Sequence, residues 1–367
     1  ENGKTLWKKK LSNPLGRRGF TYHVSDNSDI SGIYISSGEN VFHLNREGKI
    51  LNKFNTGTSL LQPFVHNNTL YVATLREGVK AFDILSKKKI WSTNFKKGNV
   101  EPRVWSGFSF DKVTNSLFVV TSNPGGIIGK NRSGEDYSVS LISIDGNNGH
   151  IKWHYKHIVN DVWDFDLISN PIILKDLKTI DKKGLVDCVI ALSKTGDLIM
   201  VDMNTGTPIF DNSFTNVNVE KSRLKDVKLS PTQKFYLRPD KFSNIDVDLE
   251  NGFNHLDKNN FDYITNKLRH AKSGFYVPPS LDYDAIVYGV HGGAEWPGAT
   301  LYRDNEKSNI IIPSNKTPWI FRVQYQEKKF LNIIDRLQSM QNFYNYMKQK
   351  KNKILKFIQA DSKTQNS

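Results

Sequence analysis

Short runs of alternating apolar and polar residues dominate the first 320 or so positions and predict a chain built mainly from β-strands. Asn68–Ala73 and Ser116–Val120 are typical runs, each with strand-like character at a period of two. Several runs are joined by Asn-Gly or Thr-Gly steps, where glycine accepts the positive φ of a tight turn. The pattern therefore predicts successive antiparallel hairpins.

One unit recurs five times along the chain: a strand-like run, a turn, and a second run that ends in an aromatic residue. Its copies are Glu1–Trp7, Leu44–Phe54, Phe82–Trp91, Ile144–Trp153 and Val201–Phe210. Repeats of about 40–50 residues made of short strands are typical of propeller blades. We therefore predict an all-β propeller of about six blades, in which the aromatic packs on the next blade. Ordinary hairpins of a β-rich protein are the alternative.

A polar stretch interrupts the repeat at residues 212–272, and it predicts a long excursion from one blade. Within the excursion, Asn259–Lys272 has the composition of a short helix.

Beyond the strands, residues 328–360 carry apolar side chains at three- and four-residue steps and predict a helix. We interpret it as a helix packed on the propeller; because it is lysine-rich toward its end, binding to a membrane surface is the alternative. The last residues look like a frayed tail. The predicted domains are the propeller at 1–327 and the helical segment with its tail at 328–367.

Composition narrows the classes of function. The formal charge is +14, from 51 Lys and Arg against 37 Asp and Glu, which favours either a solvated basic surface or attraction to anions. The lysines are scattered and carry no nucleic-acid-binding signature, so no nucleic acid partner is predicted. The single cysteine, Cys188, lies in an apolar run and excludes an intrachain disulfide, a cysteine-based metal site and a haem attachment motif.

The stretch from Trp153 to Asp166 is the most informative for chemistry. It places three carboxylates, Asp161, Asp164 and Asp166, within six residues and brackets them with aromatic side chains. A carboxylate held in this way can serve as a general base or as a ligand of a hard metal ion. An ordinary acidic turn is the alternative.

This stretch resembles the family of pyrroloquinoline quinone (PQQ)-dependent alcohol and sugar dehydrogenases, in which a Trp-x-(Tyr/Phe)-Gln run leads to His-Asp-x-Trp-Asp. Further segments resemble the family in the same order, over roughly residues 1–325. They are 13–22, 104–111, 119–124, 193–206, 230–233, 274–280 and 292–298. The resemblance implies a quinoprotein-type β-propeller with a C-terminal helical segment. The family has eight blades and about six fit this chain, so a fragment, a split subunit and a degenerate homologue are the alternatives.

The resemblance also implies site residues. Asp161 matches the catalytic aspartate that takes the hydroxyl proton of the substrate, and it also matches a metal ligand. Asn123 matches a metal ligand, and Glu77 lies near the position of a third. The implied ion is Ca²⁺, with Mg²⁺ as the alternative. Asp164 and Asp166 are assigned a structural role in closing the turn by local hydrogen bonds.

Four further residues match cofactor contacts. Trp105 corresponds to the aromatic floor under the flat quinone, and Lys194 to the cation that binds the quinone oxygens. Arg18 corresponds to an arginine that clamps a cofactor carboxylate, and Trp296 lies in a stretch that lines the family's site. Without the family, these side chains would be read as core and solvated charges.

The chain departs from the family pattern at Asn160, Ser122 and Lys156, where the family has His, Gly and Gln. It also lacks the adjacent cysteines of the methanol and ethanol branches. With Pro313–Trp319, this favours the membrane-bound glucose and quinate dehydrogenase-like branch. The implied function is oxidation of an alcohol, sugar or polyol, with hydride transfer to PQQ.

The same branch implies a membrane quinone or cytochrome as electron acceptor and a bacterial periplasmic location, with membrane association as a further expectation. The alternative function is a non-catalytic propeller scaffold that resembles an outer-membrane assembly factor. If the chain were such a scaffold, Trp105, Asn123, Asp161 and Lys194 would have no reason to be kept together.

Overall fold

The computed structural model shows a chain whose elements are β-strands apart from one helix, over the residues that it describes. Those residues are 3–98, 100–123, 136–179, 181, 183–224, 227–243, 247, 256–269, 271–290, 293–303 and 308–323. They lie within one compact unit, Glu1–Val323. No helix in these ranges is both long enough and apolar enough to cross a bilayer.

Three four-stranded antiparallel sheets follow one another along the chain, each with its strands paired in sequence order. The first contains β1 (Thr21–His23), β2 (Gly32–Ser37), β3 (Asn40–Leu44) and β4 (Ile50–Asn55). The second contains β5 (Phe64–His66), β6 (Thr69–Ala73), β7 (Val79–Asp83) and β8 (Lys89–Thr93). The third contains β9 (Ser109–Asp111), β10 (Ser116–Val120), β11 (Ser140–Asp145) and β12 (Ile151–Lys156). Such four-stranded meanders are the blades of a propeller.

A three-stranded sheet comes next, with β13 (Leu167–Lys178), β14 (Leu185–Ser193) and β15 (Leu198–Asp202). After it, the described chain forms smaller sheets. Their strands are β16 (Phe214–Asn218), β17 (Thr232–Tyr236), β18 (Ala271–Lys272), β19 (Asp284–Tyr288), β20 (Gly293–Ala294), β21 (Thr300–Arg303), β22 (Ser308–Ile311), β23 (Ser314–Asn315) and β24 (Pro318–Phe321). They pair as β16–β17, β18–β19–β24, β20–β23 and β21–β22. The all-β propeller class is confirmed, while the described residues contain fewer regular four-stranded blades than six.

The predicted contact between a closing aromatic and the next blade is present at three tryptophans. The indole Nε1 of Trp7 donates to Arg46 O at 2.6 Å. The indole Nε1 of Trp91 donates to Gly146 O at 3.0 Å, and that of Trp153 donates to Met203 O at 3.1 Å. Each of the latter two rings also covers the glycine of the neighbouring turn, Gly149 or Gly206, where an added Cβ would lie 2.6 Å from ring carbon. Both glycines have a positive φ, so the turn and the ring contact require the same residue.

Strand interiors form the core. All five residues of β10 are buried, and so is Cys188 on β14, as expected for a cysteine in an apolar strand. The buried side chains group into clusters that combine residues of neighbouring sheets, as expected where blades pack face to face. This rigid stack positions the loops at the ends of its strands.

Within the excursion predicted at 212–272, the helix α1 spans Lys258–Leu268. It begins at Asp257, whose side chain accepts hydrogen bonds from the backbone nitrogens of Asn259 and Asn260. It ends earlier than predicted because Ala271 and Lys272 pair with β19 instead. The helix predicted at 328–360 and the tail after it lie outside the described residues.

Candidate active site

Four side chains that the sequence singled out line the same cavity, which has a volume of about 780 Å³. Arg18 precedes β1, Trp105 precedes β9, Lys194 follows β14 and Trp296 follows β20. The fold therefore brings them together from four separate parts of the chain. The other lining residues are Asp164, Asp166, Ile168, Val290, Ala294, Glu295, Asn315, Thr317, Pro318 and Trp319.

Lys194 forms ion pairs with two carboxylates in the wall of this cavity. Its Nζ lies 2.9 Å from Asp164 Oδ2 and 3.3 Å from Asp166 Oδ2. Burial disfavours the ammonium ion, but the two carboxylates outweigh burial and raise the pKa of Lys194. The backbone of Lys194 is fixed as well, because its N–H donates to Asp166 O at 3.1 Å. Lysine and both aspartates therefore act as one charged cluster.

Asp166 belongs to this cluster rather than to a local turn. Its Oδ1 accepts a hydrogen bond of 2.7 Å from the backbone nitrogen of Asn123, which is 43 positions away. The pKa of Asp166 is raised to about 7, mainly by burial and also by Asp164 and Asp161, against the opposing effects of Lys194 and of the hydrogen bond from Asn123. The prediction that Asp166 makes local hydrogen bonds is therefore wrong: its carboxylate contacts Asn123 and Lys194, which lie far from it along the sequence.

Asp164 has a different environment. Its side chain is 37% exposed, and it lines the cavity. The residue has a φ of +65°, a region that aspartate tolerates better than most residues. This backbone turn separates its side chain from that of the buried Asp161, three positions earlier.

Asp161 is buried, with 1% of the residue exposed, and does not belong to the described lining of the cavity. Its Oδ1 accepts from the backbone nitrogen of Trp163 at 2.9 Å, and its Oδ2 accepts from that of Phe165 at 2.8 Å. The side-chain amide of Asn123 donates to the same Oδ2 at 2.7 Å. The two predicted metal ligands are thus in direct contact, and the carboxylate also holds the loop that carries Asp164.

Glu77, the third predicted metal ligand, pairs with a lysine. Its carboxylate forms an ion pair with the ammonium group of Lys80, and its side chain is 56% exposed. It is not among the described residues that line the cavity. The loop before β7 therefore directs this carboxylate to a neighbouring lysine on the same hairpin.

Two of the tryptophans that line the cavity, Trp296 and Trp105, lie within cation–π distance of basic side chains. The guanidinium carbon of Arg18 lies 4.0 Å from the centroid of the Trp296 ring, and Lys194 Nζ lies 5.7 Å from it. The guanidinium of Arg103 lies 5.9 Å from the ring of Trp105. The cavity therefore combines flat aromatic faces with two cations that line it.

Sequence reasoning missed the part that Asp164 and Asp166 play in the cavity. The sequence carries the signal as three carboxylates within six residues, but it does not show which of them face the cavity. Trp319 was also missed as a lining residue, although the segment Pro313–Trp319 had been singled out.

Comparison with known proteins adds an independent line of evidence. The sequence profile of the glucose/ethanol/alcohol dehydrogenase β-propeller domain, named for PQQ, matches residues 94–361, well over half of the chain. The chain is 27% identical over 202 residues to a probable quinate dehydrogenase (quinone) of Xanthomonas campestris pv. juglandis, covering 54% of this chain and 25% of the relative. It is also 27% identical over 217 residues to quinoprotein glucose dehydrogenase A of Acinetobacter calcoaceticus, covering 56% and 26%.

Among solved structures, the quinohemoprotein alcohol dehydrogenase of Comamonas testosteroni is similar with a TM-score of 0.48 and 15% identity, over 78% of this chain and 42% of that one. The region matched in the two curated relatives spans about a quarter of their length.

Proposed function

Because the chain belongs to the family of PQQ-dependent glucose, ethanol and alcohol dehydrogenase β-propeller domains, we propose that it oxidises a hydroxyl group of a small alcohol, sugar or polyol. One observation carries the proposal: Lys194, Asp164 and Trp105 line the same cavity, although they come from separate parts of the chain. A base, a cation and an aromatic face are thereby available to one ligand.

The chemistry of the cavity fits PQQ, which is flat and carries three carboxylates. Trp105, Trp296 and Trp319 offer aromatic faces, and Arg18 and Lys194 offer cations for carboxylates and quinone oxygens. The volume of about 780 Å³ lies within the usual range for small-molecule sites. When bound, the quinone supplies the acceptor for the hydride that leaves the substrate carbon.

We place the general base at Asp164. A general base must come within hydrogen-bond reach of the proton that it removes, and Asp164 lines the cavity while Asp161 is buried with three hydrogen-bond donors on its carboxylate. In this assignment, Asp164 takes the hydroxyl proton and Lys194 orients its carboxylate. Asp161 instead anchors the loop. The sequence-based prediction of Asp161 as base is the competing assignment.

Calcium stays a prediction, as does magnesium in its place. Asn123 and Asp161 are in contact, while Glu77 forms an ion pair with Lys80. The described residues also contain no group of three or more His, Cys, Asp or Glu side chains arranged for a metal ion. Calcium prefers six to eight oxygen ligands, more than Asn123 and Asp161 supply.

The contacts argue against the scaffold alternative. Lys194 pairs with Asp166, Asp166 accepts from Asn123, and Asn123 donates to Asp161, each at 3.3 Å or less. Trp105 lines the same cavity as Lys194. A surface selected only for assembly has no need of this arrangement. Transfer of electrons to a membrane quinone or cytochrome, and a periplasmic or membrane-associated location, are part of the proposal.

An absorbance titration with PQQ tests the proposal directly, followed by dye-linked oxidation of a panel of alcohols, sugars and polyols with and without added Ca²⁺. We expect saturable PQQ binding and dye reduction that depends on PQQ. If the folded protein binds no PQQ, the proposal fails and the scaffold alternative is favoured. If calcium has no effect on either readout, only the metal prediction fails.

A further inference from the structure

Residues 232–242 of the polar excursion contact both loops that carry the candidate site, and we call them the clamp segment. The segment contains β17 and the six residues after it. The first loop, 157–166, carries Asp164, and the second, the turn 193–197 between β14 and β15, carries Lys194. The clamp segment is not part of the described lining of the cavity, so any effect that it has on the site passes through these loops.

Gln233 holds the first loop by its backbone. Its side chain is buried; Oε1 accepts from the backbone nitrogen of Val159 at 3.1 Å, and Nε2 donates to the carbonyl oxygen of the same residue. One carboxamide thereby satisfies both backbone groups of Val159, as a neighbouring strand would. Val159 lies two positions before Asp161, whose carboxylate holds the rest of the loop. Gln233 therefore fixes the point from which the chain leads to Asp164.

Lys241 holds the turn through Asp197. Its ammonium group forms an ion pair with the Asp197 carboxylate, and the two side chains are 13% and 0% exposed. The other carboxylate oxygen accepts from the hydroxyl of Thr195 at 2.6 Å. The residue after the lysine, Phe242, donates its backbone N–H to Gly196 O at 2.9 Å. Three of the five residues in this turn are therefore bonded to the clamp segment or to one another.

His157 joins the two loops inside the protein. The residue is fully buried, its Nε2 lies 3.0 Å from Thr195 Oγ1, and its Nδ1 lies 3.2 Å from the hydroxyl of Tyr236 on β17. Both loops and the clamp segment thus share one buried polar cluster.

The cost of this cluster argues that it serves the site rather than the turn itself. The turn already has a backbone hydrogen bond from Ser193 N to Asp197 O at 3.1 Å, and Gly196 has a φ of +79°. These features suffice for a tight reversal between strands. Burying an ion pair takes two charges out of water, and an apolar pair of similar volume is often at least as stable. What the ion pair supplies is one defined geometry for the turn.

We propose that Gln233 and Lys241 are positioning residues, which hold Asp164 and Lys194 in register with each other. This rests on the proposed function. Asp164 and Lys194 form an ion pair of 2.9 Å across the two loops, although they lie 30 positions apart in the sequence. Catalytic groups that are displaced by about 1 Å lose much of their effect. The clamp segment bonds to both loops and prevents such a displacement.

Amide hydrogen exchange of the protein without PQQ tests the clamp by itself. The variants are Gln233→Leu and the double variant Lys241→Met with Asp197→Asn, which leaves no buried charge unpaired. The informative amides are those of Phe165 and Lys194, because both donate to oxygens of the first loop. We expect both amides to exchange at least about fivefold faster in each variant, as the loss of buried hydrogen bonds predicts.

The matched control is Lys175→Met with Asp111→Asn. It removes an ion pair of 2.9 Å between β13 and β9, with side chains 30% and 6% exposed, and it touches neither loop. Exchange at the two amides should stay as in the native chain. In PQQ-dependent oxidation at saturating substrate, the clamp variants should lower kcat at least about tenfold, while the control should not. Lys241→Arg keeps the positive charge and should retain most of kcat.

Three results would overturn the inference: unchanged exchange at Phe165 and Lys194 in both clamp variants, faster exchange with unchanged kcat, or an equal loss of kcat in the control. The second would show a purely structural support, and the third a general effect of destabilisation. Each of them leaves the proposed function standing, because oxidation is still observed. If the native chain binds no PQQ, the proposed function itself fails, and the role of the clamp in positioning a catalytic pair fails with it.

Discussion

Lys194 and Asp164 form an ion pair of 2.9 Å between Nζ and Oδ2 in the wall of the cavity. Asp166 shares the same ammonium group at 3.3 Å and is almost fully buried. One lysine therefore compensates two carboxylates. The arrangement couples the stability of the fold to the integrity of the candidate site, because the lysine that lines the cavity also neutralises a buried charge.

Replacing Lys194 by methionine should destabilise the protein in a pH-dependent way. The variant leaves Asp166 buried without its cation, a change that costs roughly 3–5 kcal/mol. Burial already raises the pKa of Asp166 to about 7, so its folded state binds the proton more tightly than its unfolded state. The loss should therefore be largest above pH 7 and should shrink toward pH 5. Urea unfolding at several pH values measures it.

The double variant Lys194→Met with Asp166→Asn is the control for that experiment. Because asparagine carries no charge, the pH dependence should disappear and much of the lost stability should return. A deficit that persists unchanged in the double variant at pH 8 would contradict the role of Lys194 as the compensating cation.

Single substitutions of Asp164 and of Asp161 distinguish a role in catalysis from a role in anchoring the loop. Asp164→Asn should abolish PQQ-dependent oxidation, with a loss of roughly 100-fold or more, because general-base catalysis supplies that much. Its melting temperature should change little, since the side chain is 37% exposed. Asp161→Ala should instead lower the free energy of unfolding by about 3 kcal/mol, because buried donors lose their acceptor. If Asp161→Asn is inactive yet fully stable and Asp164→Asn is active, the base is Asp161.

Much of the fold could be predicted because the signals that determine it are local. The repeated strand, turn and aromatic predicted the blades, and the contacts of Trp91 with Gly146 and of Trp153 with Met203 confirm the predicted packing. The number of regular blades could not be predicted, because the later strands of the described chain are short and pair in small sheets. Strand pairing between distant segments leaves little trace in a single sequence.

The candidate site was only partly predictable for a similar reason. The resemblance placed Trp105 and Lys194 by their order along the chain, and both line the cavity. The choice between Asp161 and Asp164 depends on the path of the backbone, which turns at Asp164 with a positive φ. It depends also on Asn123, whose amide reaches Asp161 from 38 positions away. Such contacts arise only when the blades are assembled.

Removal of the Trp105 ring should weaken PQQ binding. Trp105 lines the cavity and is half-buried, so Trp105→Ala removes both apolar contact and stacking. An aromatic contact of this kind contributes about 1 kcal/mol beyond buried area, and we expect a loss of at least about tenfold in affinity. The absorbance titration measures it. Tyr263→Ala, which removes an exposed aromatic from α1, is the control and should bind PQQ as tightly as the native chain.

The stability of the protein should increase as the pH rises above neutrality, because the penalty for burying the charge of Lys234 is then lost. Burial, assisted by Lys156, lowers the pKa of Lys234 to about 8, so the unfolded chain holds this proton more tightly than the folded one. The penalty is fully present below pH 8 and is lost as the pH rises toward the unfolded value. In urea unfolding between pH 7.5 and 9.5, stability should rise more steeply for the native chain than for Lys234→Met. The exposed-site variant Lys89→Met should keep the native slope; equal slopes for all three would contradict the assignment.

The tryptophan contacts between blades predict that the turn glycines cannot be replaced. At Gly149 an added Cβ would lie 2.6 Å from the ring of Trp91, and φ is +77°. Gly98 has a φ of +59° and open space around it, so Gly98→Ala isolates the backbone penalty of about 1–2 kcal/mol. Gly149→Ala should cost that amount and about 1–3 kcal/mol more from overpacking against the ring. Denaturant unfolding of both variants measures the difference.

Combining Gly149→Ala with Trp91→Leu should recover part of the overpacking cost, since neighbouring substitutions that share a contact are not additive. Equal losses in Gly98→Ala and Gly149→Ala would show that the ring yields to the methyl group and that the close contact does not fix the blades.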